Sequence, residues 1–237
     1  HTPLDEASVV NAIKSAKARG AEGIIVSLLH GFRNSAHEEA AAKIIRRTAP
    51  ELFVFTSAEI WPVIREYERT TTAIINGYVH PRVADYLTKL QDALKRSGVS
   101  APPLITKSNG GVMSAEIGKT SCVNMVLSGT ASGVIGGAFV ARASGIKNAI
   151  TLDIGGTSAD VAVVIDGTPQ YGMGEKIGEF PLYIPSVSVT SIGDGGGSIA
   201  RVDEFGVLKV GPESAGSDPG PACYGRGGTR PTITDAF

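Results

Sequence analysis

The stretch that decides the fold reads TLDIGGTSAD and covers Thr151–Asp160. Its first half is a short apolar strand that delivers the acidic residue Asp153, and a second apolar run begins at its end. Gly155 and Gly156 stand between the two halves. Glycine permits a sharp turn and lets the backbone approach another group closely. The stretch therefore predicts a β-hairpin whose turn is built around two glycines.

This predicted turn has the chemistry of a phosphate-binding loop. The N–H groups of Gly155 and Gly156 could cradle an anion, and the Thr157 hydroxyl could donate one more hydrogen bond. A carboxylate beside bound phosphates needs a cation between them, so Asp153 is predicted to bind hydrated Mg²⁺. Asp160 could do the same or polarise a water, and it is the candidate catalytic residue. An ordinary tight β-turn remains the alternative to nucleotide binding.

Two other segments rich in small residues are candidates for anion binding. The segment that starts at Ser128-Gly129 opens a predicted helix, and the free N–H groups at a helix start attract anions. The favoured alternative there is close packing of the helix through its small side chains. The run Gly195, Gly196 and Gly197 could likewise bind an anion. The structural alternative is that its glycines provide loop flexibility or a tight backbone approach.

The first third of the chain is typical of an α/β protein. Apolar residues recur at helical spacing in Leu4–Arg19 and again in Ser35–Thr48. Short continuous apolar runs follow at Gly23–Leu29 and Leu52–Phe55. Such runs are typical of strands buried on both faces. The sequence predicts a β-α-β unit with parallel strands.

The rest of the chain changes character twice. A helical pattern from Pro62 to Ser97 is predicted to break near Gly77 and Pro81, with Pro81 opening a second helix. A strand, the small-residue helix to Ala143 and the hairpin follow. After Gly167 the density of glycine and proline predicts an irregular tail with short strands. These strands are expected at Tyr183–Val189 and Val207–Val210.

Composition excludes several classes of partner. The chain has 22 basic and 23 acidic residues and a formal net charge of −1, so it has no field that attracts nucleic acid. Its longest apolar runs are far shorter than the roughly 20 residues that span a bilayer. Cys122 and Cys223 are too few and too far apart in sequence for a disulfide framework. We therefore expect a cytoplasmic protein with no nucleic-acid or membrane partner.

Some polar residues permit a functional and a structural interpretation. His30, His37 and Glu38 could bind a metal, although hydrogen-bonded structural roles are favoured. Cys223 lacks a neighbouring base in sequence and is expected to pack. Arg69 lies among acidic residues and is expected on a solvated helix face.

A series of short motifs runs along the chain in a fixed order, preceded by the pairs Leu29-His30 and His37-Glu38. The motifs are Arg69–Thr72, Asn76–Val79, Ser108–Gly111, Leu127–Gly129, Asp153–Asp160, Ile192–Ala200, Val210–Gly216, Asp218–Gly225 and Thr232–Ala236. In order and spacing, the series resembles the hydantoinase A/5-oxoprolinase (N-methylhydantoinase A) family. Two positions depart from the family pattern: Asp194 replaces a small residue, and Thr130-Ala131 replaces Pro-Ala.

The resemblance implies an architecture. It implies an α/β fold made of pieces of an actin-like ATPase (ribonuclease H-like) domain, with a mixed sheet and an irregular Gly/Pro-rich tail. Residues 1–60 would be the C-terminal part of the family's N-terminal domain. Residues 61–237 would be the N-terminal part of the hydantoinase A/oxoprolinase domain. The chain is accordingly expected to be an internal fragment of the ATP-dependent subunit.

The resemblance also implies an activity. Family members hydrolyse small cyclic amides such as 5-oxoproline or hydantoins with ATP. The resemblance implies that ATP phosphorylates the amide oxygen, and Mg²⁺ is the expected second cofactor. A hydantoinase B-type subunit or domain would be the partner, in an oligomeric intact enzyme. Two alternatives stay open, namely an ATP-dependent ketone carboxylase subunit acting on acetone or acetophenone, and a folded module that is inactive as cut. The resemblance also makes Arg69 a candidate for contact with a phosphate or with another domain.

Overall fold

The computed structural model describes residues 2–173, 175–177 and 179–237. The chain divides into two compact units. Unit 1 comprises the residues up to Ser128 together with Gly172–Ser186, and unit 2 comprises Gly129–Tyr171 and Val187–Phe237. The domain boundary predicted after residue 60 lies inside unit 1. It concerns the domains of the family and stays a prediction.

The helices and strands of the described residues have the following bounds. The helices are α1 (Glu6–Ala18), α2 (Ala36–Thr48), α3 (Ser57–Ile60), α4 (Glu66–Arg96), α5 (Ala115–Thr120) and α6 (Ser128–Ala143). The strands are β1 (Gly23–Val26), β2 (Phe53–Thr56), β3 (Leu104–Thr106), β4 (Val112–Ser114), β5 (Ala149–Ile154), β6 (Ala159–Ile165), β7 (Thr168–Pro169), β8 (Tyr171–Gly172), β9 (Glu175–Ile177), β10 (Phe180–Leu182), β11 (Ser186–Val187), β12 (Thr190–Ile192), β13 (Ser198–Val202) and β14 (Leu208–Ser214). Short 3₁₀ turns cover Cys122–Met125, Ala222–Tyr224 and Ile233–Ala236.

Unit 1 begins with the predicted β-α-β arrangement. Strands β1 and β2 pair in parallel, with Gly23 opposite Phe53. The Asp5 side chain caps α1 by accepting a hydrogen bond from the Ala7 N–H, which satisfies a backbone donor left free at the helix start. Apolar residues of α1, α2 and β2 form one buried cluster: Ile13, Ala42, Ile44, Ile45, Ala49, Leu52 and Val54. The prediction of parallel strands joined by a helix is confirmed.

Helix α4 is continuous over 31 residues, so the predicted break near Gly77 and Pro81 is wrong. Gly77 serves packing instead: a Cβ built there would lie 2.7 Å from Ile25 Cδ1, so only glycine lets α4 approach β1 this closely. The buried Asn76 side chain holds the same stretch by donating to the Thr120 carbonyl at 3.0 Å. These contacts outweigh the local preference of Pro81 to end a helix. No helix in the described ranges, α4 included, is long and apolar enough to cross a membrane.

Unit 2 is built on an antiparallel sheet with the strand order β12-β6-β5, and β7 also pairs with β6. Helix α6 packs on this sheet through a buried cluster of Ala131, Val134, Ala138, Ala162, Val164 and Val187. The tail is more regular than predicted, because β13 and β14 form an antiparallel pair. The single strand expected at Tyr183–Val189 is wrong, since β11 covers only Ser186–Val187 within it. The chain as a whole has a mixed α/β fold.

Candidate functional site

The β5–β6 hairpin carries the predicted phosphate turn. The two strands pair antiparallel, with Asp153 opposite Asp160. The turn between them is closed by a hydrogen bond from the Gly155 N–H to the Ser158 carbonyl at 2.9 Å. Neither Gly155 nor Gly156 has a positive φ, so neither needs a left-handed conformation. A Cβ built on Gly155 would lie 3.1 Å from the Ser158 carbonyl oxygen, so close approach is a requirement at Gly155 alone. The prediction of a hairpin at this stretch is confirmed.

Two backbone amides at the tip of this turn are available to a ligand. The N–H groups of Gly156 and Thr157 donate to no acceptor within the part of the chain that the structure describes. Both residues are exposed, and a Cβ built on Gly156 would meet no heavy atom within 4 Å. Successive amides of this kind form a concavity that binds anions. The open space at Gly156 leaves room for an anion to reach the backbone.

The triple-glycine loop packs directly against the phosphate turn. The Gly196 N–H donates to the Gly155 carbonyl at 2.9 Å, and the Gly197 N–H donates to the Gly156 carbonyl at 2.6 Å. A Cβ built on the buried Gly195 would lie 2.6 Å from the Ser158 nitrogen, closer than real side chains come. A tight backbone approach, and not loop flexibility, is therefore what these three glycines provide.

These hydrogen bonds determine where the two available amides point. The peptide bonds of the turn are trans, and in a planar trans peptide the C=O and N–H groups point in opposite directions. The Gly155 carbonyl, held by Gly196, directs the Gly156 N–H away from the triple-glycine loop. The Gly156 carbonyl, held by Gly197, directs the Thr157 N–H away from Gly197. The loop thus orients both donors before any ligand binds.

The two carboxylates of the hairpin differ in their surroundings. The half-buried Asp160 accepts hydrogen bonds from the hydroxyls of Thr130, at 3.0 Å, and Ser191. The exposed Asp153 accepts no hydrogen bond from any described residue. Direct opposition of two like charges on paired strands is unfavourable. A cation between them would remove this repulsion.

The residues present fit a magnesium ion of the kind that binds nucleotides. Within the described ranges no group of three or more His, Cys, Asp or Glu side chains could hold a metal. His30, His37 and Glu38 therefore do not form such a group. Mg²⁺ in nucleotide sites needs only one or two carboxylates, because waters and phosphate oxygens supply its other ligands. Asp153, with Asp160 opposite it, meets this smaller requirement.

The start of α6 is tied to the same hairpin through Thr130, which lies in the first turn of α6 and donates to Asp160. Ser128 is the first residue of α6, so the positive end of the helix dipole lies at the candidate site. The packing explanation favoured for the small residues here is wrong for Gly129, where a built Cβ would meet nothing within 4 Å. Packing does explain Ala131, which is buried in the α6 cluster, and Gly137, where Thr151 Cγ2 would lie 2.6 Å from a built Cβ.

A cleft of about 490 Å³ runs between α6 and β5 in unit 2. Thr130, Gly133 and Gly137 line it on the helix side, and both Asp153 and Asp160 line its end at the hairpin. The structure therefore brings the predicted site residues of unit 2 together around one hairpin.

Sequence reasoning missed the supporting contacts of this site. Thr234 donates to the Gly196 carbonyl through both its N–H, at 2.8 Å, and its hydroxyl, at 2.7 Å. Asp235 accepts hydrogen bonds from the Cys223 N–H and from Thr232, and the Cys223 N–H above all holds the pKa of this carboxyl far below its usual range. Both residues belong to the Thr232–Ala236 motif, which marked them without giving them a role.

Arg69 is not on a solvated helix face as expected. It is fully buried, and its guanidinium donates to the Ser57 hydroxyl at 2.9 Å and to the Leu28 and Val63 carbonyls. Glu38 is also fully buried and accepts from the same Ser57 hydroxyl at 2.8 Å. This network of buried charges belongs to the core of unit 1.

The surroundings of the two thiols raise the pKa of both. Burial raises the pKa of Cys122 to about 11, so its thiolate is scarce at neutral pH. Cys223 is exposed, which overturns its expected packing, and its hydrogen bond to Asp235 raises the pKa of its thiol. Neither cysteine has the lowered pKa of an activated nucleophile.

Comparison with known proteins adds independent findings. Residues 69–237 match the family model described as hydantoinase/oxoprolinase, and residues 1–49 match its N-terminal region. The chain is 38% identical to the caprolactamase subunit alpha of Pseudomonas jessenii, over 99% of this chain and 34% of the relative. It is 39% identical to the acetophenone carboxylase gamma subunit of Aromatoleum aromaticum, over 99% and 33%. It is 32% identical to the 5-oxoprolinase of Saccharomyces cerevisiae, over 98% and 18%.

Two solved structures resemble the chain along nearly its whole length. The crystal structure of the ATP-dependent caprolactamase from Pseudomonas jessenii matches with a TM-score of 0.82 at 38% identity, over 99% of this chain and 34% of that one. The nucleotide-free acetone carboxylase structure, from work on ATP-dependent acetone carboxylation, matches with a TM-score of 0.81 at 32% identity, over 98% and 33%. The chain spans about a third of the length of these proteins.

Proposed function

This chain belongs to the hydantoinase/oxoprolinase family, and we propose that it carries a phosphate-binding site of an enzyme that uses ATP to open small cyclic amides. The observation that carries the proposal is the pair of amides at Gly156 and Thr157, which donate to no described acceptor and whose peptide units are held by the triple-glycine loop, with open space at Gly156. The relatives named caprolactamase and 5-oxoprolinase support the reaction class. Because the chain spans about a third of the caprolactamase subunit, the complete reaction is proposed for the whole protein.

Each part of the site has a proposed task in binding the nucleotide. The amides of Gly156 and Thr157 hold phosphate oxygens, with the Thr157 hydroxyl as a further donor. Gly155 and the triple-glycine loop, Gly195–Gly197, shape the turn. Ser128 and Gly129 offer a second contact at the positive end of α6. We propose that the fold around them is one half of an actin-like ATPase, in which two similar domains hold the nucleotide between two such hairpins.

Asp153 and Asp160 would handle the cation and a water. Asp153, exposed and without a hydrogen-bond donor among the described residues, would hold Mg²⁺ through its carboxylate. When bound, Mg²⁺ neutralises the charge that develops on the transferred phosphoryl group. Asp160 is held in one orientation by Thr130 and Ser191, which suits it to polarise a water or to bind the hydrated ion.

The proposed chemistry follows from the stability of amides. An amide nitrogen is a poor leaving group, and a small lactam ring recloses readily after hydrolysis. Transfer of the γ-phosphoryl group from ATP to the amide oxygen would activate the carbonyl carbon and leave ADP. A first water would then add to that carbon and the ring C–N bond would break, which frees the amine and leaves an acyl phosphate. A second water would hydrolyse the acyl phosphate to the carboxylate and free phosphate. The products would be the ring-opened amino acid, ADP and phosphate.

A partner subunit or domain of the hydantoinase B type is proposed to supply the rest of the active site. The relatives named subunit alpha and gamma subunit belong to enzymes with several subunits, which supports such an assembly. The chain considered alone could instead be a folded module that becomes active only within this assembly.

Ketone carboxylation is the second candidate reaction. The acetophenone carboxylase gamma subunit is 39% identical to the chain, and the acetone carboxylase structure matches with a TM-score of 0.81. The two reactions share ATP and differ in the second substrate. In the complete enzyme, ADP release driven by ε-caprolactam or 5-oxoproline would support the hydrolase, whereas ADP release that requires both bicarbonate and acetone or acetophenone would support the carboxylase.

The phosphate site itself can be tested on this chain. We would titrate Mg²⁺-ATP into the folded protein by calorimetry and compare Asp153→Asn with Asp92→Asn, a matched change at an exposed aspartate of α4. The proposal predicts binding that Asp153→Asn weakens and Asp92→Asn leaves unchanged. Absence of binding to folded protein, or equal effects of the two substitutions, would overturn the proposed site.

A further inference from the structure

Thr234 and the phosphate turn lie on opposite sides of a single peptide unit, the one between Gly196 and Gly197. The carbonyl of this unit accepts both the Thr234 N–H, at 2.8 Å, and the Thr234 hydroxyl, at 2.7 Å. The N–H of the same unit, on Gly197, donates to the Gly156 carbonyl at 2.6 Å. Because the unit is planar and trans, Thr234 directs this N–H toward the turn.

The relay continues through a second peptide unit. The Gly156 carbonyl, once held by Gly197, belongs to the same plane as the Thr157 N–H. The direction of that N–H therefore depends on Gly197, and the direction of Gly197 depends on Thr234. Two planar units thus connect the Thr234 hydroxyl to one of the two amides that are available to an anion.

Asp235 fixes Thr234 in turn. Its carboxylate accepts the Thr232 N–H at 2.8 Å and the Thr232 hydroxyl at 2.9 Å, which caps the 3₁₀ turn Ile233–Ala236. It also accepts the N–H groups of Cys223, at 2.7 Å, and Ala222, at 3.2 Å. Four hydrogen bonds from two segments therefore anchor the turn that carries Thr234.

We infer that Thr234 is a positioning residue of the phosphate site, whose hydroxyl orients the Thr157 amide through the Gly196-Gly197 peptide. The inference rests on the proposed function, because it assigns that amide to a nucleotide phosphate. Thr234 itself touches the Gly196 carbonyl and acts on the ligand only through the backbone.

The test combines a spectrum without ligand and a titration with ligand. Thr234→Val removes the hydroxyl and keeps the side-chain shape, whereas Thr234→Ser keeps the hydroxyl. Thr88→Val is the matched control, since the Thr88 hydroxyl also donates to a backbone carbonyl, that of Ala84, on the exposed face of α4. Amide resonances of Gly197 and Thr157 are recorded by ¹H–¹⁵N NMR, and Mg²⁺-ATP affinity is measured by calorimetry.

We expect Thr234→Val to shift the Gly197 and Thr157 resonances and to weaken Mg²⁺-ATP binding about threefold to tenfold, the effect of one net hydrogen bond. Thr234→Ser should restore both values, and Thr88→Val should change neither. Unchanged Gly197 and Thr157 resonances in Thr234→Val would overturn the inference, and so would shifted resonances with unchanged affinity. If the unsubstituted chain binds no Mg²⁺-ATP, the proposed function fails for this chain, while the ligand-free spectra still decide whether Thr234 orients the turn.

Discussion

Replacing Gly195 by alanine perturbs the packing of the triple-glycine loop on the phosphate turn. The built Cβ would lie 2.6 Å from the Ser158 nitrogen, 2.6 Å from the Thr157 carbonyl carbon and 2.7 Å from the Thr157 nitrogen. All three are backbone atoms, so no flexible side chain can move aside. An ordinary carbon contact needs roughly 3.5 Å or more, so the loop and the turn must separate by about 1 Å.

The stability lost in Gly195→Ala can be worked out from the contacts that weaken when the loop and the turn move apart. Overpacking of a well-packed site typically costs about 1–3 kcal/mol. The hydrogen bonds from Gly196 to Gly155 and from Gly197 to Gly156 would lengthen together, and each contributes about 1 kcal/mol net. We therefore predict a loss of about 2–3 kcal/mol in the free energy of unfolding of unit 2, with at least tenfold weaker binding of Mg²⁺-ATP.

Two further alanine variants make the measurement specific. Gly156→Ala places a methyl group where nothing lies within 4 Å, so it should leave stability within about 0.5 kcal/mol and still weaken binding, because the methyl group occupies the space of the anion. Gly136→Ala, at an equally open and exposed position of α6, should leave binding unchanged. Urea unfolding is best followed by circular dichroism, because the single tryptophan, Trp61, belongs to unit 1.

Two outcomes would contradict this prediction. Gly195→Ala could unfold at the same urea concentration as the unsubstituted chain, or Gly156→Ala could bind Mg²⁺-ATP as tightly as Gly136→Ala does. Either outcome would mean that the triple-glycine loop does not hold the turn in the way that the hydrogen bonds indicate.

Three other predictions concern groups outside the turn. Arg69→Met should lower the free energy of unfolding by about 3 kcal/mol or more, because it leaves Glu38 buried without the neighbouring positive charge. Urea unfolding monitored by the fluorescence of the tryptophan in unit 1 measures this loss, and a loss below about 1 kcal/mol would contradict the prediction. At pH 8 iodoacetamide should modify the exposed Cys223 and leave Cys122, whose pKa is raised to about 11, intact until the chain unfolds; equal labelling in a mass spectrum would refute this. The pKa of Asp235 is lowered in the folded state, so the stability that its carboxylate contributes is fully present above about pH 4 and is lost as the pH falls toward the folded pKa. The free energy of unfolding of Asp235→Asn should therefore depend less on pH between about pH 4 and pH 2 than that of the unsubstituted chain, and an equal dependence would exclude a stabilising role of the Asp235 carboxylate.

Elements with strong local signals were predicted well from the sequence. Helix α1 has a capping residue, an apolar stripe and a closing glycine, and its observed bounds fall within the predicted segment. The β5–β6 hairpin was predicted because two apolar runs flank a pair of glycines. In both cases the deciding interactions lie within about ten residues of each other, where a sequence pattern can show them.

Features that depend on distant contacts were not predicted. The sequence indicates a break at Gly77, but the side chain of Ile25, which is remote in sequence, makes that glycine a packing position within a continuous helix. The charge of Arg69 indicates a solvated face, but its partners are Ser57 and the Leu28 carbonyl, and only the folded chain brings them together. Composition alone carries no information on such partners.

The candidate site shows the same division. Asp153, Asp160 and the two glycines of the turn were identified because they are adjacent in sequence. That the triple glycine packs on this turn could not be derived from spacing, since about 40 residues separate Gly155 from Gly196. The inferred role of Thr234 is even harder to derive from the sequence, because Thr234 acts on the turn only through the backbone of the triple-glycine loop.

We propose above all that the amides of Gly156 and Thr157 bind a phosphate. The most direct measurement is a ¹H–¹⁵N NMR titration of the chain with Mg²⁺-ATP, with the amide of Gly136 as an internal reference in the same unit. We expect the resonances of Gly156 and Thr157 to move downfield in proportion to the bound fraction, while the resonance of Gly136 stays in place. Saturable binding of Mg²⁺-ATP that leaves the Gly156 and Thr157 resonances unmoved would contradict it.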